Sequence, residues 1–280
     1  MNTPRSILIT GCSSGIGLEA ARTLLKRGYR VFASCRKTED VQRLQEGGFA
    51  DALQLDLNSS ESIQTAVEQV LAATGGELFA LFNNGAYGLP GAVEDLSREA
   101  LRRQFETNLF GTHELTCRLL PAMLKQTDAR IVQNSSVLGL VAMFNRGAYI
   151  ASKFALEGLT DTLRLELRGT CVKVVLIEPG PILSHFRKNA LVSFQNEVDF
   201  SRSRHKAVYE SALKRLNKEG PAAPFTLPPS AVVAKLLQAL ENPHPKPRYY
   251  VTFPTFLMGF LRRVLPTRML DRIIARLGSA

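Results

Sequence analysis

Apolar positions along the chain gather in short dense runs separated by stretches of helical periodicity. Ser6-Ile7-Leu8-Ile9-Thr10, Arg30-Val31-Phe32-Ala33-Ser34-Cys35, Leu53-Gln54-Leu55-Asp56, Leu78-Phe79-Ala80-Leu81-Phe82 and Ile131-Val132-Gln133 are strand-length and nearly continuous in apolar residues. That is the pattern of strands covered on both faces, as in a parallel sheet, rather than of strands with one wet face. After the first run, Leu18, Ala21, Leu24 and Leu25 recur at the spacing of a helix face. Strand-like and helix-like segments alternate in this way from Ser6 to about Thr252, with no repeat and no Gly/Ser-rich or Pro-rich linker. The pattern predicts one α/β domain over residues 1–252, a doubly wound parallel sheet with helices on both faces. Residues 253–280 form a different pattern, a C-terminal helical extension that Pro266 divides in two.

Composition narrows the function classes. Four cysteines, Cys12, Cys35, Cys117 and Cys171, show neither C-x-x-C spacing nor a disulfide framework, and His113, His185, His205 and His244 show no ligand spacing. No metal is expected, and a reducing cytoplasm is. The chain enters its first apolar strand directly after Met1-Asn2-Thr3-Pro4-Arg5, without the pattern of a signal peptide, and no apolar run is long enough to span a bilayer. The net charge of +10 invites a nucleic-acid reading. Its distribution speaks against one: from His244 to Ala280 seven Lys or Arg face the single acid Asp271, and no interleaved aromatic and basic stripe accompanies them.

Candidate chemistry clusters at the predicted strand ends. Gly11-Cys12-Ser13-Ser14-Gly15-Ile16-Gly17 lies between the first strand and the first helix. Glycines there permit a tight turn and close approach of a pyrophosphate to free amides at a helix N-terminus, and Ser13 and Ser14 add hydroxyl donors. At the end of the second strand, Cys35 stands where an acid would bind a ribose 2′-hydroxyl, and Arg36 and Lys37 follow, which favours the 2′-phosphate of NADPH. The third strand ends in Asp56 and the fourth in Asn83-Asn84-Gly85-Ala86, both toward the same crevice. Tyr149 and Lys153 are one helical turn apart, and Ser136 follows the strand-like run Ile131-Val132-Gln133. Their chemistry is that of a proton donor, its activator and a carbonyl anchor. A cation beside the phenol is expected to pull its pKa down toward the working pH.

These motifs together resemble the short-chain dehydrogenase/reductase family, over about Ser6 to Thr252. Thr10, Gly11, Gly15 and Gly17 fill the family pattern T-G-x-x-x-G-x-G, and Asn108, Ser136, Tyr149 and Lys153 match its catalytic set. The resemblance implies a Rossmann-type fold and an NADPH/NADP site formed by Gly11, Ser13, Ser14, Ile16, Arg36, Asp56, Leu57, Asn83, Gly85, Tyr149, Lys153, Pro179, Gly180, Ile182 and Ser184. It implies that Asn108 kinks a helix and holds a water, that Ser136 holds the carbonyl oxygen, and that Tyr149 protonates the developing alkoxide. Two positions depart from the family: Asn84-Gly85-Ala86 inverts the usual Ala-Gly, and Ser184 stands where threonine is customary.

The stretches Tyr149 to Gly158 and Glu178 to Ile182 are similar to the 17β-hydroxysteroid, retinol dehydrogenase and aldehyde reductase branch. That similarity implies a small lipophilic carbonyl or alcohol substrate, a fatty aldehyde, retinal or a steroid, and the family implies a homo-oligomer. Leu138, Leu140, Val141, Met143, Phe144, Tyr87 and Leu89 are candidates to wall an apolar pocket, with a substrate lid at about 182–227 carrying Phe186, Phe194 and Phe200. The tail interleaves Phe256, Leu257, Phe260, Leu261, Val264, Leu265, Met269, Leu270, Ile273, Ile274 and Leu277 with five arginines. A basic amphipathic tail of this kind lies on the inner face of a membrane, caps an active site, or packs on the fold, three roles that sequence leaves open. An NADPH-dependent reductase of apolar aldehydes or ketones is the leading reading. A 3-oxoacyl thioester reductase and a non-catalytic NADPH-sensing regulator are the alternatives.

Overall fold

The computed structural model describes residues 4–201, 203–216, 220 and 223–278. Met1 to Thr3, parts of the lid (202, 217–219, 221 and 222), the last two residues of the tail and the side chains of Lys214, Arg215, Leu216 and Leu277 lie outside that description.

In chain order the elements are β1 (Ser6–Ile9), α1 (Gly15–Lys26), β2 (Arg30–Cys35), α2 (Thr38–Glu46), β3 (Leu53–Gln54), α3 (Ser60–Thr74), β4 (Ala80–Asn83), α4 (Arg98–Phe105), α5 (Gly111–Met123), β5 (Ala129–Asn134), α6 (Gly147–Glu166), β6 (Val172–Glu178), α7 (Phe186–Glu197), α8 (Lys206–Leu216), α9 (Ser230–Glu241), β7 (Arg248–Tyr250), α10 (Phe253–Val264) and α11 (Thr267–Gly278). The strands form one sheet in the order β3-β2-β1-β4-β5-β6-β7, and every neighbouring pair is parallel. Strand side chains alternate between the two faces of this sheet. Ile7 and Ile9 join Ala20, Leu24, Val41 and Leu236 in the layer of α1, α2 and α9, whereas Leu8 joins Ile63, Leu115 and Leu119 in the layer of α3 and α5. Burial on both sides explains why β1 reads as an unbroken apolar run.

The predicted third strand is longer than the observed one: only Leu53 and Gln54 pair with β2, at the sheet edge, where one neighbour alone supplies hydrogen bonds. Strand order reverses between β1 and β4, so the loops leaving these two strands diverge and leave a crevice at the carboxyl ends of the sheet. Between α4 and α5 the helix widens into a π-helical turn over Glu106–Phe110.

The tail packs on the fold, which answers one of the three roles that the sequence left open. Met258 of α10 and Leu270 of α11 are buried against Val141, with Leu261, Leu265 and Ile274 partly covered beside them. Gly259 lets the Tyr250 ring come close, since a Cβ there would stand 2.6 Å from it.

Candidate active site

The crevice is built by the turns that leave β1, β4, β5 and β6. Gly11 and Gly15 have φ of 73° and 57°, the left-handed region that favours glycine. At Gly17 an added Cβ would stand 2.2 Å from the Gly11 carbonyl oxygen, so the turn and α1 close on each other only without a side chain. Ser14, the N-cap of α1, makes no side-chain bond to the helix, and the first turn carries no acid. The amides there remain directed at an anion, which fits a nucleotide pyrophosphate.

The inverted Asn84-Gly85-Ala86 turn is tied to this loop. Thr10 Oγ1 accepts hydrogen bonds from the Asn84 and Gly85 amides at 2.9 and 2.7 Å, and Asn84 Nδ2 donates to the Thr10 carbonyl at 3.0 Å. Gly85 also stays close-packed, for its Cβ would meet Thr10 Oγ1 at 3.2 Å and Leu57 at 3.3 Å. The Asn83 side chain turns away from the crevice and donates to Thr116 of α5 at 2.9 Å. Asp56 accepts from the Asn58 amide at 3.0 Å, closing the turn after β3.

Past the buried Cys35, Arg36 and Lys37 are exposed at the carboxyl edge of the sheet. Arg43 of α2 joins them by donating to the Ser13 carbonyl at 3.0 Å. Sequence reading missed Arg43, which looks there like any surface charge on a helix. Only the fold of α2 back onto the glycine turn places it among the cations of the cradle.

Ser136, Tyr149, Lys153 and Asn108 converge at the ends of β4 and β5. Asn108 lies in the π-helical turn, fully buried; its Oδ1 accepts from the Tyr87 amide at 3.1 Å and its Nδ2 donates to Ser152 Oγ at 3.1 Å. Ser136 caps a short 3₁₀ turn over Val137–Gly139, its hydroxyl accepting from the Leu138 amide at 3.1 Å. Lys153 Nζ donates to the Asn134 carbonyl at 2.8 Å and stands 5.7 Å from the centre of the Tyr149 ring. Asn134 is a second residue missed from sequence, since its side chain also donates to Asn84 Oδ1 at 2.9 Å and so joins the two strand-end turns.

The electrostatics differ from the sequence expectation. Burial pushes the Tyr149 phenol up to about 12, against the Ser136 hydrogen bond and the Arg146 charge, which pull it down. Burial likewise brings the Lys153 ammonium down to about 8, with Glu157 opposing. Sequence spacing shows that the two groups are near each other; it does not show that both are sealed from water, and here desolvation is the largest cause of both shifts.

After β6, the Pro179 carbonyl accepts from the Val137 amide at 2.8 Å, and Gly180 abuts Thr252 so closely that a Cβ would stand 2.1 Å from its hydroxyl. Ile182 pairs with Leu227 in a parallel bridge. Ser184 reaches back over the glycine turn, 3.2 Å from where a Cβ of Gly15 would be. Of the apolar candidates, Leu89 and Val141 are buried, whereas Met143 and Phe144 are exposed. Leu89 packs with Phe194 and Tyr209 from the lid helices α7 and α8, with Phe200 beside them.

A parallel seven-stranded sheet, a glycine turn at its switch point and a buried Ser, Tyr and Lys set define a nucleotide-dependent oxidoreductase fold. Residues 5–193 match the short chain dehydrogenase family, and the chain belongs to it. Family members bind nicotinamide nucleotides, and the chain is an oxidoreductase of this kind. It is 46% identical over 270 residues to an uncharacterized oxidoreductase, YbbO, of Escherichia coli, covering 96% of this chain and 94% of that one. Human retinol dehydrogenase 8 is 40% identical over 198 residues, 67% of this chain and 62% of its own. A short-chain dehydrogenase structure from Streptomyces avermitilis superposes with a TM-score of 0.76 at 25% identity, over 99% of this chain and 96% of that one.

Proposed function

We propose that the chain is an NADPH-dependent carbonyl reductase of apolar aldehydes or ketones, with residues 1–252 as its catalytic unit. The observation that carries this reading is the convergence of Ser136, Tyr149 and Lys153 beneath an apolar lid, at the end of the crevice opposite the Arg36, Lys37 and Arg43 cluster. NADPH, when bound, supplies the hydride. Gly11, Ser13, Ser14 and Ile16 hold its phosphates, and Arg36, with Lys37 and Arg43 nearby, takes the 2′-phosphate. Asp56, Leu57, Gly85 and the backbone of Asn83 wall the adenosine end, and Pro179, Gly180, Ile182 and Ser184 the nicotinamide end. Ser136 orients the carbonyl oxygen and Tyr149 donates the proton to it. A phenol at about 12 stays protonated through the physiological range, so Tyr149 carries the proton that reduction consumes. Lys153 holds the next proton, and Asn108 orders the chain that leads to it.

The retinol dehydrogenase relative supports a lipophilic substrate. The four free cysteines suit a reducing cytoplasm. Exposed Phe110, Leu124, Phe154, Leu159 and Leu165 on the α5 and α6 side support a homo-oligomer.

A panel of long- and short-chain aldehydes, retinal and steroid ketones, assayed with NADPH and NADH, tests the reading. Reduction of apolar carbonyls with NADPH is expected, and Tyr149→Phe is expected to bind NADPH while losing at least about a thousandfold in turnover, within the range general acid catalysis supplies. Robust turnover by that variant, or no activity on any carbonyl, would overturn it.

A further inference from the structure

One face of α10 stays largely exposed, met among the described residues by the rings of Phe225 and Tyr250 at two of its phenylalanines. Phe253, Phe256, Leu257, Phe260 and Val264 follow the spacing of a single helix stripe and are 58%, 53%, 38%, 61% and 54% exposed. The opposite face of the same helix is closed: Thr255, Met258 and Gly259 are buried against the fold. Met269 at the start of α11, 48% exposed, and Phe225 of the lid, 58% exposed, add to the apolar surface. Phe225 meets Phe253 with ring centroids 5.1 Å apart and planes tilted at 44°. Such a concentration of exposed aromatic surface marks an interaction site.

Charge selects the occupant. The two tail helices carry Arg262, Arg263, Arg268, Arg272 and Arg276 against the single acid Asp271. Two copies laid face to face would bring five arginines against five, whereas an anionic lipid surface complements them. A helix of 12 residues is about 18 Å long, too short to cross a bilayer, and no helix among the described residues is long and apolar enough to do so. The geometry therefore suits a helix lying in the interface plane, rings down and guanidinium groups at the headgroups.

We propose that α10 docks the protein on anionic membranes through its phenylalanine face, which sets Phe225 beside the bilayer. The lid returns from this face to the active site: Phe225 touches Phe253, Leu227 pairs with Pro181 and Leu183 at 3.1 and 2.9 Å, and Ser184 and Phe186 follow over the crevice. A lipophilic substrate then passes from the acyl layer to Tyr149 without crossing water. That passage rests on the reductase reading; the docking does not.

Flotation with phosphatidylcholine–phosphatidylglycerol vesicles and with pure phosphatidylcholine vesicles tests it, using the full chain and the triple variant Phe253→Ser, Phe256→Ser, Phe260→Ser. The full chain is expected to float with the anionic vesicles and far less with the neutral ones. The triple variant is expected to lose about a hundredfold in partition, from the transfer free energy of three rings. It should keep its thermal transition and its turnover of a short water-soluble aldehyde, and lose rate only on a long-chain aldehyde supplied in vesicles. A full chain that stays in the aqueous layer with both vesicles, or a triple variant that floats equally, would overturn the docking. So would light scattering in which the triple substitution turns a dimer into a monomer while the full chain ignores vesicles, for the face would then belong to a second copy. If no carbonyl is reduced at all, the reductase reading falls while the flotation result stands.

Discussion

Phe186 meets Tyr149 edge to face, with ring centroids 5.4 Å apart and planes at 65°. The first residue of α7 thereby covers the phenol from the lid side. Gly88 makes room for it, since a Cβ at Gly88 would come within 2.6 Å of the Phe186 ring. An apolar carbonyl compound that reaches Tyr149 must displace this ring or pack on it. Phe186→Ala is expected to raise KM for a long-chain aldehyde about tenfold, the loss of one sizeable apolar contact, with kcat on a short aldehyde nearly unchanged. Equal KM values for both substrates in the variant and the parent chain would refute this.

Arg36 and Arg43 approach the cofactor cradle from β2 and α2. Charge-assisted hydrogen bonds contribute about 1.5–3 kcal/mol each. Arg36→Ala with Arg43→Ala is expected to raise KM for NADPH roughly a hundredfold and to leave KM for NADH almost unmoved. Steady-state titration of both nucleotides measures the ratio. A parallel loss for both nucleotides would show that these arginines support the turn and do not read the 2′-phosphate.

Lys153 costs stability where it sits. Its ammonium titrates at about 8, against 10.5 for an unburied lysine, so between those values the unfolded chain binds more protons and stability climbs with pH. Below about pH 8 the penalty is present in full, on the order of 3 kcal/mol. Lys153→Met removes it but forfeits the bond to the Asn134 carbonyl, about 1 kcal/mol. The variant is expected to be inactive yet more stable by roughly 2 kcal/mol at pH 7, a gain that disappears by about pH 10.5. Urea unfolding at the two pH values decides, and a lower midpoint at pH 7 would contradict the argument.

Arg248 at the start of β7 is held by Glu157 and Glu178, and it donates to Asp161 at 2.6 Å. Glu178 is fully buried; burial and the neighbouring Glu157 push its carboxyl up to about 8, against the pull of Arg248. At about 8 the Glu178 carboxyl already keeps its proton at pH 7, so the charge that loses its partner with the arginine is that of the largely buried Glu157, a loss on the order of 3–5 kcal/mol. The raised pKa values of these two carboxyls mean that the folded state regains protons, and with them stability, as pH falls. Thermal melts of Arg248→Met are therefore expected to show a large deficit at pH 7 that shrinks at pH 5. A deficit independent of pH would mean that packing, not charge, is lost.

What could be read in sequence and what could not divide along physical lines. Ile7, Leu8 and Ile9 disclose their strand because both faces of β1 are covered, and burial writes itself into residue type. Gly11, Gly15 and Gly17 disclose their turn because no other residue tolerates those contacts. Tyr149 and Lys153 disclose their proximity through helical spacing, yet the depth of burial that decides their titration depends on Phe186 and the lid, remote in the chain. Arg43 and Asn134 stay hidden for the same reason: their partners, Ser13 and Lys153, come from other elements. The α10 stripe was legible as amphipathic, but which side would be the covered one was not. The structure turns Met258 and Gly259 inward and leaves the phenylalanines outside.

The π-helical turn at Glu106–Phe110 accommodates one residue more than an α-helical turn would. An insertion of this kind rotates everything after it by about 100° around the helix axis, given 3.6 residues per turn. Asn108 can therefore face Tyr87 and Ser152 while Leu115 and Leu119, further along, still face the sheet. A straight helix through this segment would have to give up one of those two alignments. The bulge decouples the packing face of α5 from the polar face that serves the site, so selection can adjust either one without disturbing the other.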